Sequence, residues 1–286
     1  MDSGPLFNKI WVIESLRPND RKTGTILYED VLLHQEQSNP DLSIELVAPA
    51  TKDEFLESLQ KIEEQASLGQ FPMVHLECHG CKEGLQMSNL ELVSWKDLRD
   101  SLIRINIACR LNLVLVVGAC NGIHLIKVST KLDRAPFWAV IGPERKINEG
   151  EIERDFGAFY RKFFESLNGD AAMDALNSGV AGPDRTYHFR TSVGLFMRAY
   201  IAYHTKYRMG KGKRSRIEKL VTEAMKERST AQKGVNWVRR NIKHTLAKEE
   251  QHFHKFKNRF FLIDKYPENA QRFSITYDDV LASLPS

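Results

Sequence analysis

The chain of 286 residues has no long apolar run, only four cysteines and no low-complexity segment. Its longest apolar run, at residues 113–120, is too short to cross a bilayer, so we expect no membrane-spanning helix and no membrane partner. The first residues lack a basic stretch followed by an apolar core, which disfavours a secretory signal. So few cysteines exclude a disulfide-dense fold, and we expect a protein of the reducing cytoplasm.

The charge is unevenly distributed, although the formal net charge is only +4. From Tyr187 to the end, 21 lysines and arginines stand against 9 aspartates and glutamates, whereas the preceding part is acidic. An acidic part joined to a basic part is typical of two units with different partners. We therefore expect one domain over residues 1–186 and a basic, mainly helical regulatory or binding unit over residues 187–286.

The hydrophobic pattern of the first part alternates between strand and helix periodicity. Strands are predicted at residues 8–16, 42–47, 72–79, 111–119 and 137–141, with a short hairpin at 83–92. Helices are predicted at residues 23–36, 51–68, 94–105, 123–132 and 150–167. This alternation predicts an α/β fold with a parallel sheet covered by helices.

The last part follows a boundary that we expect near Gly182-Pro183-Asp184. Helices are predicted at residues 216–228 and 236–248, and an exposed basic loop at residues 208–216. Two short strands are predicted at residues 260–264 and 272–276. Phenylalanines 253, 256 and 260 have helical spacing and indicate a core stripe. Basic residues interleaved with aromatics also occur in proteins that bind single-stranded nucleic acid, which is the less favoured interpretation.

Two strand ends carry residues that are suited to nucleophilic catalysis. The third predicted strand ends in Glu77-Cys78-His79-Gly80, and the fourth ends in Gly118-Ala119-Cys120-Asn121-Gly122. Because functional groups of parallel sheets gather beyond the carboxyl ends of the strands, we expect His79 and Cys120 to lie side by side. An adjacent imidazole converts a thiol into the thiolate that attacks a carbonyl carbon.

This pair of motifs resembles the caspase-like cysteine proteases, and most closely the prokaryotic CHAT proteases. In this chain, as in these proteases, His-Gly ends one strand and Ala-Cys-x-Gly ends the next. The histidine and the cysteine are 41 residues apart here and about 50 residues apart in caspases. The resemblance covers about residues 8–179. It implies a caspase-like parallel-sheet sandwich with helices on both faces, so residues 1–186 are interpreted as a CHAT-type protease domain.

The resemblance also implies roles for individual residues. Cys120 matches the nucleophile, His79 matches the general base and acid, and the backbone N–H groups of Gly80 and Cys120 match the oxyanion hole. A protein substrate is implied, with no cofactor and no metal in the chemical step. Several CHAT proteases act in antiphage defence and are switched on by a nucleotide messenger or a sensor protein. A regulated effector of that kind is therefore expected.

Substrate specificity departs from the animal caspase pattern in two places. Gly118 stands where caspases have a glutamine, and Asn121 stands where they often have an arginine. Arg21 lies in the loop after the first strand, where caspases carry an arginine for the substrate aspartate. It predicts an acidic or small residue at the cleavage site, because a guanidinium binds a carboxylate bidentately. The alternative interpretation of Arg21 is an ordinary exposed loop arginine.

The cysteines also have interpretations without a catalytic role. Cys120 at the end of a buried strand is also compatible with an inert core thiol, or with a degenerate, non-catalytic relative of the proteases. His75, Cys78 and Cys81 have a spacing that weakly suggests zinc, but His75 and Cys78 would face opposite sides of a strand. No metal site is therefore expected.

The basic cluster in the last part has several possible partners. It contains Lys211, Lys213, Arg214 and Arg216, and we interpret these four residues as a possible site for an anionic ligand. A solvated face and a docking surface for an acidic partner are the other interpretations. The alternative function for the whole chain is a non-catalytic caspase-like scaffold whose basic unit binds nucleic acid or another anionic ligand.

Overall fold

The computed structural model describes residues 4–129, 132–179 and 185–284. The chain divides into two compact units, one made of residues 1–130 and 134–192 and the other of residues 131–133 and 193–286. The first unit thus extends six residues beyond the expected limit at residue 186. The boundary expected near Gly182-Pro183-Asp184 lies outside the described residues. Among those that are described, no helix has the length and apolar character needed to cross a membrane.

The first unit contains a mixed sheet that is mostly parallel. Its strands are β1 (Lys9–Ser15), β2 (Ser43–Val47), β3 (Pro72–Gly80), β4 (Gly84–Gln86), β5 (Leu92–Ser94), β6 (Val114–Val117), β7 (Ala139–Pro143) and β8 (Tyr187–Thr191). The main order is β2-β1-β3-β6-β7-β8, and only β8 runs antiparallel to its neighbour within it. A hairpin of β4 and β5 pairs antiparallel with the end of β3. The predicted α/β class is confirmed.

Helices flank this sheet. In the first unit they are α1 (Thr23–Leu27), α2 (Leu33–Ser38), α3 (Lys52–Ser67), α4 (Trp95–Ala108), α5 (Glu149–Ser166) and α6 (Gly169–Asn177). Capping boxes start α3 at Thr51 and α4 at Ser94, where the side chain of the cap accepts a backbone N–H three residues on. One buried face of α5, with Phe156, Phe159 and Tyr160, packs in the same core as residues of β1 and β3.

Two connections of the first unit differ from the prediction. A π-helical segment, Tyr28–Leu32, joins α1 to α2 where one continuous helix was expected. After β6 the chain forms a 3₁₀ helix over Gly122–Ser129 instead of the α-helix predicted at residues 123–132. Leu125 and Val128, three residues apart, are both buried, which is the spacing of a helix with three residues per turn.

The described elements that follow β8 are all helices. They are α7 (Ser192–Arg208), α8 (Gly210–Ala224), α9 (Arg228–Ala231), α10 (Val235–Ala247), α11 (Glu249–Phe260), α12 (Asn269–Arg272) and α13 (Tyr277–Ala282). Phe253 and Phe260 of α11 are fully buried, with ring centroids 5.8 and 5.3 Å from that of Phe196 on α7. The predicted core stripe of phenylalanines is therefore confirmed.

Two predictions for the last part are wrong. The strands predicted at residues 260–264 and 272–276 do not form, because Phe261 and Leu262 turn into the helical core and are fully buried there. Their β propensity is overridden by packing. The basic loop predicted at residues 208–216 is helical except at Met209, since α7 ends at Arg208 and α8 begins at Gly210. Lysine and arginine are good helix formers, so the helical conformation is interrupted at one residue only.

Candidate active site

Cys120 lies at the carboxyl edge of the sheet, in a turn directly after β6. The N–H of Gly122 donates to the carbonyl of Ala119 at 3.0 Å, and Asn121 has a φ of 57°, a left-handed conformation that asparagine tolerates. The side chain of Cys120 is half-buried. Its Sγ accepts the N–H of Ile147 and donates to the Ile147 carbonyl, both at 3.4 Å. The backbone that follows β7 therefore holds the thiol.

Gly80, the last residue of β3, packs directly against the peptide of Cys120. A Cβ at Gly80 would lie 2.2 Å from the carbonyl oxygen and 2.9 Å from the nitrogen of Cys120, so only glycine fits there. The structure thus brings together the two strand ends that the sequence singled out. The two backbone N–H groups predicted for an oxyanion hole belong to residues that touch.

His79 is held by a carboxylate that the sequence analysis did not consider. Its imidazole is 44% exposed, and Nε2 lies 2.8 Å from Oδ2 of Asp20. Burial raises the pKa of Asp20, but hydrogen bonds from His79 and from the N–H of Arg17 outweigh this effect and lower the pKa. An anionic acceptor at Nε2 fixes the proton on that nitrogen, which leaves Nδ1 of the neutral ring as a proton acceptor.

The loop after β1 places Asp20 in this position. Pro18 is the second residue of a four-residue turn, where its fixed φ is favourable, and the N–H of Asp20 donates to the carbonyl of Arg17 at 3.0 Å. The ammonium of Lys22 donates to two backbone carbonyls of the same loop at 2.7 Å each. Arg21 of this loop was predicted as a site residue, whereas Asp20 was not. The sequence signal that could have identified Asp20 is an acidic residue in the turn after β1, the strand that pairs with β3.

Two buried carboxyl groups anchor the helix that follows this loop. Glu14 of β1 pairs in register with Glu77 of β3, and both are at least 95% buried. Glu77 accepts hydrogen bonds from Nε2 of His75 at 2.7 Å and from the hydroxyl of Thr23 at 3.0 Å. Glu14 accepts the N–H and the hydroxyl of Thr25 at 2.9 and 3.0 Å. The start of α1 is thereby fastened to the sheet.

The same carboxyl group explains a departure from the caspase pattern. A Cβ at Gly118 would lie 2.5 Å from Oε1 of Glu77. Glu77 therefore occupies the space into which a side chain two residues before Cys120 would project. A glutamine at that position, as in caspases, is incompatible with this buried carboxyl group.

Stability should depend on the protonation of Glu77. Burial raises its pKa, although the hydrogen bond from His75 opposes this. Glu77 therefore binds its proton more tightly in the folded protein than in the unfolded chain. Its protonated form makes its full contribution to stability below about pH 4.3, the pKa of a glutamate in an unfolded chain. That contribution is lost as the pH rises through the folded-state pKa.

We therefore expect the free energy of unfolding of the wild type to fall, relative to that of Glu77→Gln, as the pH rises above about 4.3. Urea denaturation at several pH values measures it. Glu57→Gln, at an exposed position on α3, is the control and should follow the wild type. Parallel curves for the wild type and Glu77→Gln would contradict a raised pKa.

Arg21, the predicted specificity residue, is already paired. Its guanidinium lies 2.5 Å from Oε2 of Glu153 on α5, and the two side chains are 51% and 33% exposed. The pair lines a polar cavity of about 240 Å³ together with Asp30, Arg154 and Arg161. A substrate carboxylate would have to compete with Glu153 for Arg21.

The other three cysteines differ from Cys120 in their surroundings. Cys78 and Cys109 are buried, and burial raises the pKa of the Cys78 thiol to about 12. Cys81 is half-buried like Cys120, and its thiol donates to the carbonyl of Gly84 at 3.5 Å. Cys81 is therefore the natural control for the reactivity of Cys120. In the described part of the chain, no group of three or more His, Cys, Asp or Glu residues is arranged to hold a metal.

The four basic residues predicted for an anionic ligand lie in the first two turns of α8. Lys213 is 3.5 Å from a carboxylate oxygen of α11, and Arg216 donates to the hydroxyl of Tyr203 at 2.6 Å. Lys211 and Arg214 have exposed side chains. Two of the four are thus engaged within their own unit, and two face solvent.

No protein-family model matches the chain, and no curated protein matches it in sequence. The case for a function therefore comes from the residues of the candidate site. These are a half-buried thiol at Cys120, a glycine at residue 80 in contact with the Cys120 peptide, and an imidazole at His79 oriented by Asp20.

Proposed function

We propose that the chain is a caspase-like cysteine endopeptidase, with Cys120 as the nucleophile and His79 as the general base. The observation that carries the proposal is the contact of Gly80 with the Cys120 peptide, at the end of the strand whose His79 is held by Asp20. A nucleophile, a base and a group that orients the base are the parts that covalent catalysis needs.

In the proposed reaction, the thiol of Cys120 gives its proton to Nδ1 of His79, and the thiolate sulfur forms a bond to the scissile carbonyl carbon. The carbonyl oxygen becomes an oxyanion, which the N–H groups of Gly80 and Cys120 stabilise by hydrogen bonding. His79 then returns the proton to the leaving amine as the C–N bond breaks. A thioester to Cys120 remains.

Water completes the cycle. His79 accepts a proton from the attacking water, whose oxygen bonds to the thioester carbon, and the C–S bond breaks to release the carboxylic acid and regenerate the Cys120 thiol. Asp20 keeps its negative charge throughout and stabilises the imidazolium that forms twice per turnover, as the carboxylate of a serine protease triad does.

The proposal is tested with a library of peptides incubated with the purified chain and read by mass spectrometry. As in the proteases that the chain resembles, we expect activity to depend on a nucleotide messenger or a sensor protein in an antiviral response, so the assay includes a panel of nucleotides. Cleavage by the wild type and none by Cys120→Ala supports the proposal. Equal cleavage by both proteins would overturn it.

The pairing of Arg21 leads to a prediction for specificity. Replacing Glu153 with glutamine frees the Arg21 guanidinium for a substrate carboxylate. We expect kcat/KM for peptides cut after aspartate to rise severalfold, up to about tenfold, because one charge-assisted hydrogen bond no longer has a competitor. Arg21→Ala should lower the same parameter. Glu149→Gln, one turn away on α5, is the control.

Matched peptides cut after alanine should respond to neither change. If both variants cleave after aspartate as the wild type does, Arg21 is an ordinary loop arginine and the preference for an acidic residue is wrong.

A further inference from the structure

The second unit has an open apolar groove between α8 and α10. Its volume is about 510 Å³, and its lining is formed mainly by Leu220, Ala224, Trp237, Val238, Ile242 and Leu246. Val238 and Leu246 also belong to the small core beneath it. Leu220 is 37% exposed and Trp237 is 42% exposed.

The segment that forms the groove carries an excess of positive charge. Twelve lysines and arginines but only three acidic residues lie between residues 210 and 248. Two of the three acids are paired with neighbours, Glu218 with Arg239 and Glu223 with Lys226. Lys233 is exposed, and its ammonium lies 4.4 Å from the ring centroid of Trp237, at one edge of the groove. The floor of the groove is thus apolar. Glu223 also lines the groove and is paired with Lys226, and the segment as a whole carries an excess of positive charge.

We propose that this groove binds an acidic amphipathic helix of a partner protein. The residues of α10 that line it extend from Trp237 to Leu246, a rise of about 14 Å along the helix axis. That length accommodates two to three turns of a partner helix, with apolar side chains at positions i, i+3 or i+4, and i+7. Glutamates and aspartates on the flanks of such a helix complement Lys233 and the other exposed basic residues.

The shape and lining of the groove favour a helix over the other anionic partners. A bilayer surface is flat and cannot fill a cleft between two helices. Duplex nucleic acid would contact the basic residues through its phosphates but would leave the apolar floor uncovered. An amphipathic helix covers the floor and pairs with the surrounding charge at the same time. Trp237 is the expected centre of binding, because exposed tryptophans dominate the energetics of many interfaces.

The test is a display selection on the full chain with a random library of 16-residue peptides, counter-selected on the variant Leu220→Asp. We expect sequences with apolar residues at helical spacing and an excess of aspartate and glutamate. The most enriched peptide is then synthesised, and its affinity is measured by calorimetry. Raising the salt concentration should weaken its binding severalfold.

Matched variants separate the groove from the rest of the unit. Leu220→Asp and Trp237→Ser should each weaken the selected peptide by on the order of tenfold. Leu281→Asp, at another exposed leucine on α13, should leave its affinity unchanged. Lys233→Glu should weaken binding severalfold, and Lys255→Glu, an exposed lysine of α11, should have no effect. Each altered side chain is exposed, and circular dichroism checks that the variants remain helical.

Three results would overturn the proposal. One is a selection that yields no peptide dependent on Leu220. The second is a consensus that is basic or neutral. The third is groove-dependent binding of phosphatidylserine vesicles or of a 20-nucleotide single-stranded DNA in place of the peptides, which would identify a lipid surface or nucleic acid as the occupant.

Discussion

Peptidase turnover is expected to fall by at least about 10⁴-fold when Cys120 is replaced by alanine, because no covalent thioester can then form. His79→Ala should cause a loss of similar size, since the thiol of Cys120 loses its proton acceptor. The double variant should be little worse than either single variant. Residues that act as one unit show this strong non-additivity, whereas independent residues would give multiplied losses.

The control for this series is Cys81→Ala. Cys81 is half-buried, as Cys120 is, and it follows the same strand end as His79 and Gly80. Its thiol donates to the carbonyl of Gly84, a residue outside the proposed site. We expect Cys81→Ala to keep wild-type kcat and KM. Full activity in Cys120→Ala, or loss in Cys81→Ala alone, would identify the wrong cysteine.

Replacing Asp20 with asparagine should give the second largest effect, a fall in kcat of about 10²-fold to 10⁴-fold. Asparagine has nearly the same shape but carries no charge, and its amide can present a donor to Nε2 of His79. The imidazole then loses both its fixed tautomer and the partner of its positive form. KM should change by less than about threefold, because Asp20 contacts His79 and the loop after β1, not the peptide.

Asp20 acts through His79, so its role must be separated from a merely structural one. Asp20→Glu restores the carboxylate and should recover part of kcat, whereas a structural loss would affect both substitutions alike. Asp41→Asn, at an exposed position before β2, is the control and should be fully active. The kinetic parameters are measured with one fluorogenic peptide at a fixed pH. Wild-type kcat in Asp20→Asn would remove Asp20 from the mechanism.

The elements predicted correctly from the sequence are those specified by interactions between residues close together in the chain. Thr51 with Glu54 and Ser94 with Asp97 are capping boxes in the sequence and in the structure, because the hydrogen bonds involved span only three residues. The parallel strands were recognisable from short apolar runs between amphipathic helices. The meeting of Gly80 with Cys120 also follows from strand order, since carboxyl ends of adjacent parallel strands share one edge of the sheet.

The parts that were missed depend on contacts between residues distant in the chain. The bond of Asp20 to His79 spans 59 residues, and that of Thr23 to Glu77 spans 54. No sequence motif or fixed spacing links the two residues of either pair. The charged side chains of Glu14 and Glu77 within apolar strands were a signal, because a buried carboxyl group requires partners. The strands predicted near Phe261 do not form, because packing in the helical core outweighs the local β propensity of these residues.

The measurement that tests the account most directly is covalent labelling by a peptide with an electrophilic ketone, read by intact mass. It compares the wild type with Cys120→Ala, Cys81→Ala and Asp20→Asn, each with and without the panel of nucleotides. We predict one adduct per chain in the wild type and in Cys81→Ala, none in Cys120→Ala, and slower labelling in Asp20→Asn. Labelling that persists in Cys120→Ala, or no labelling of the wild type under any condition, would contradict a catalytic Cys120.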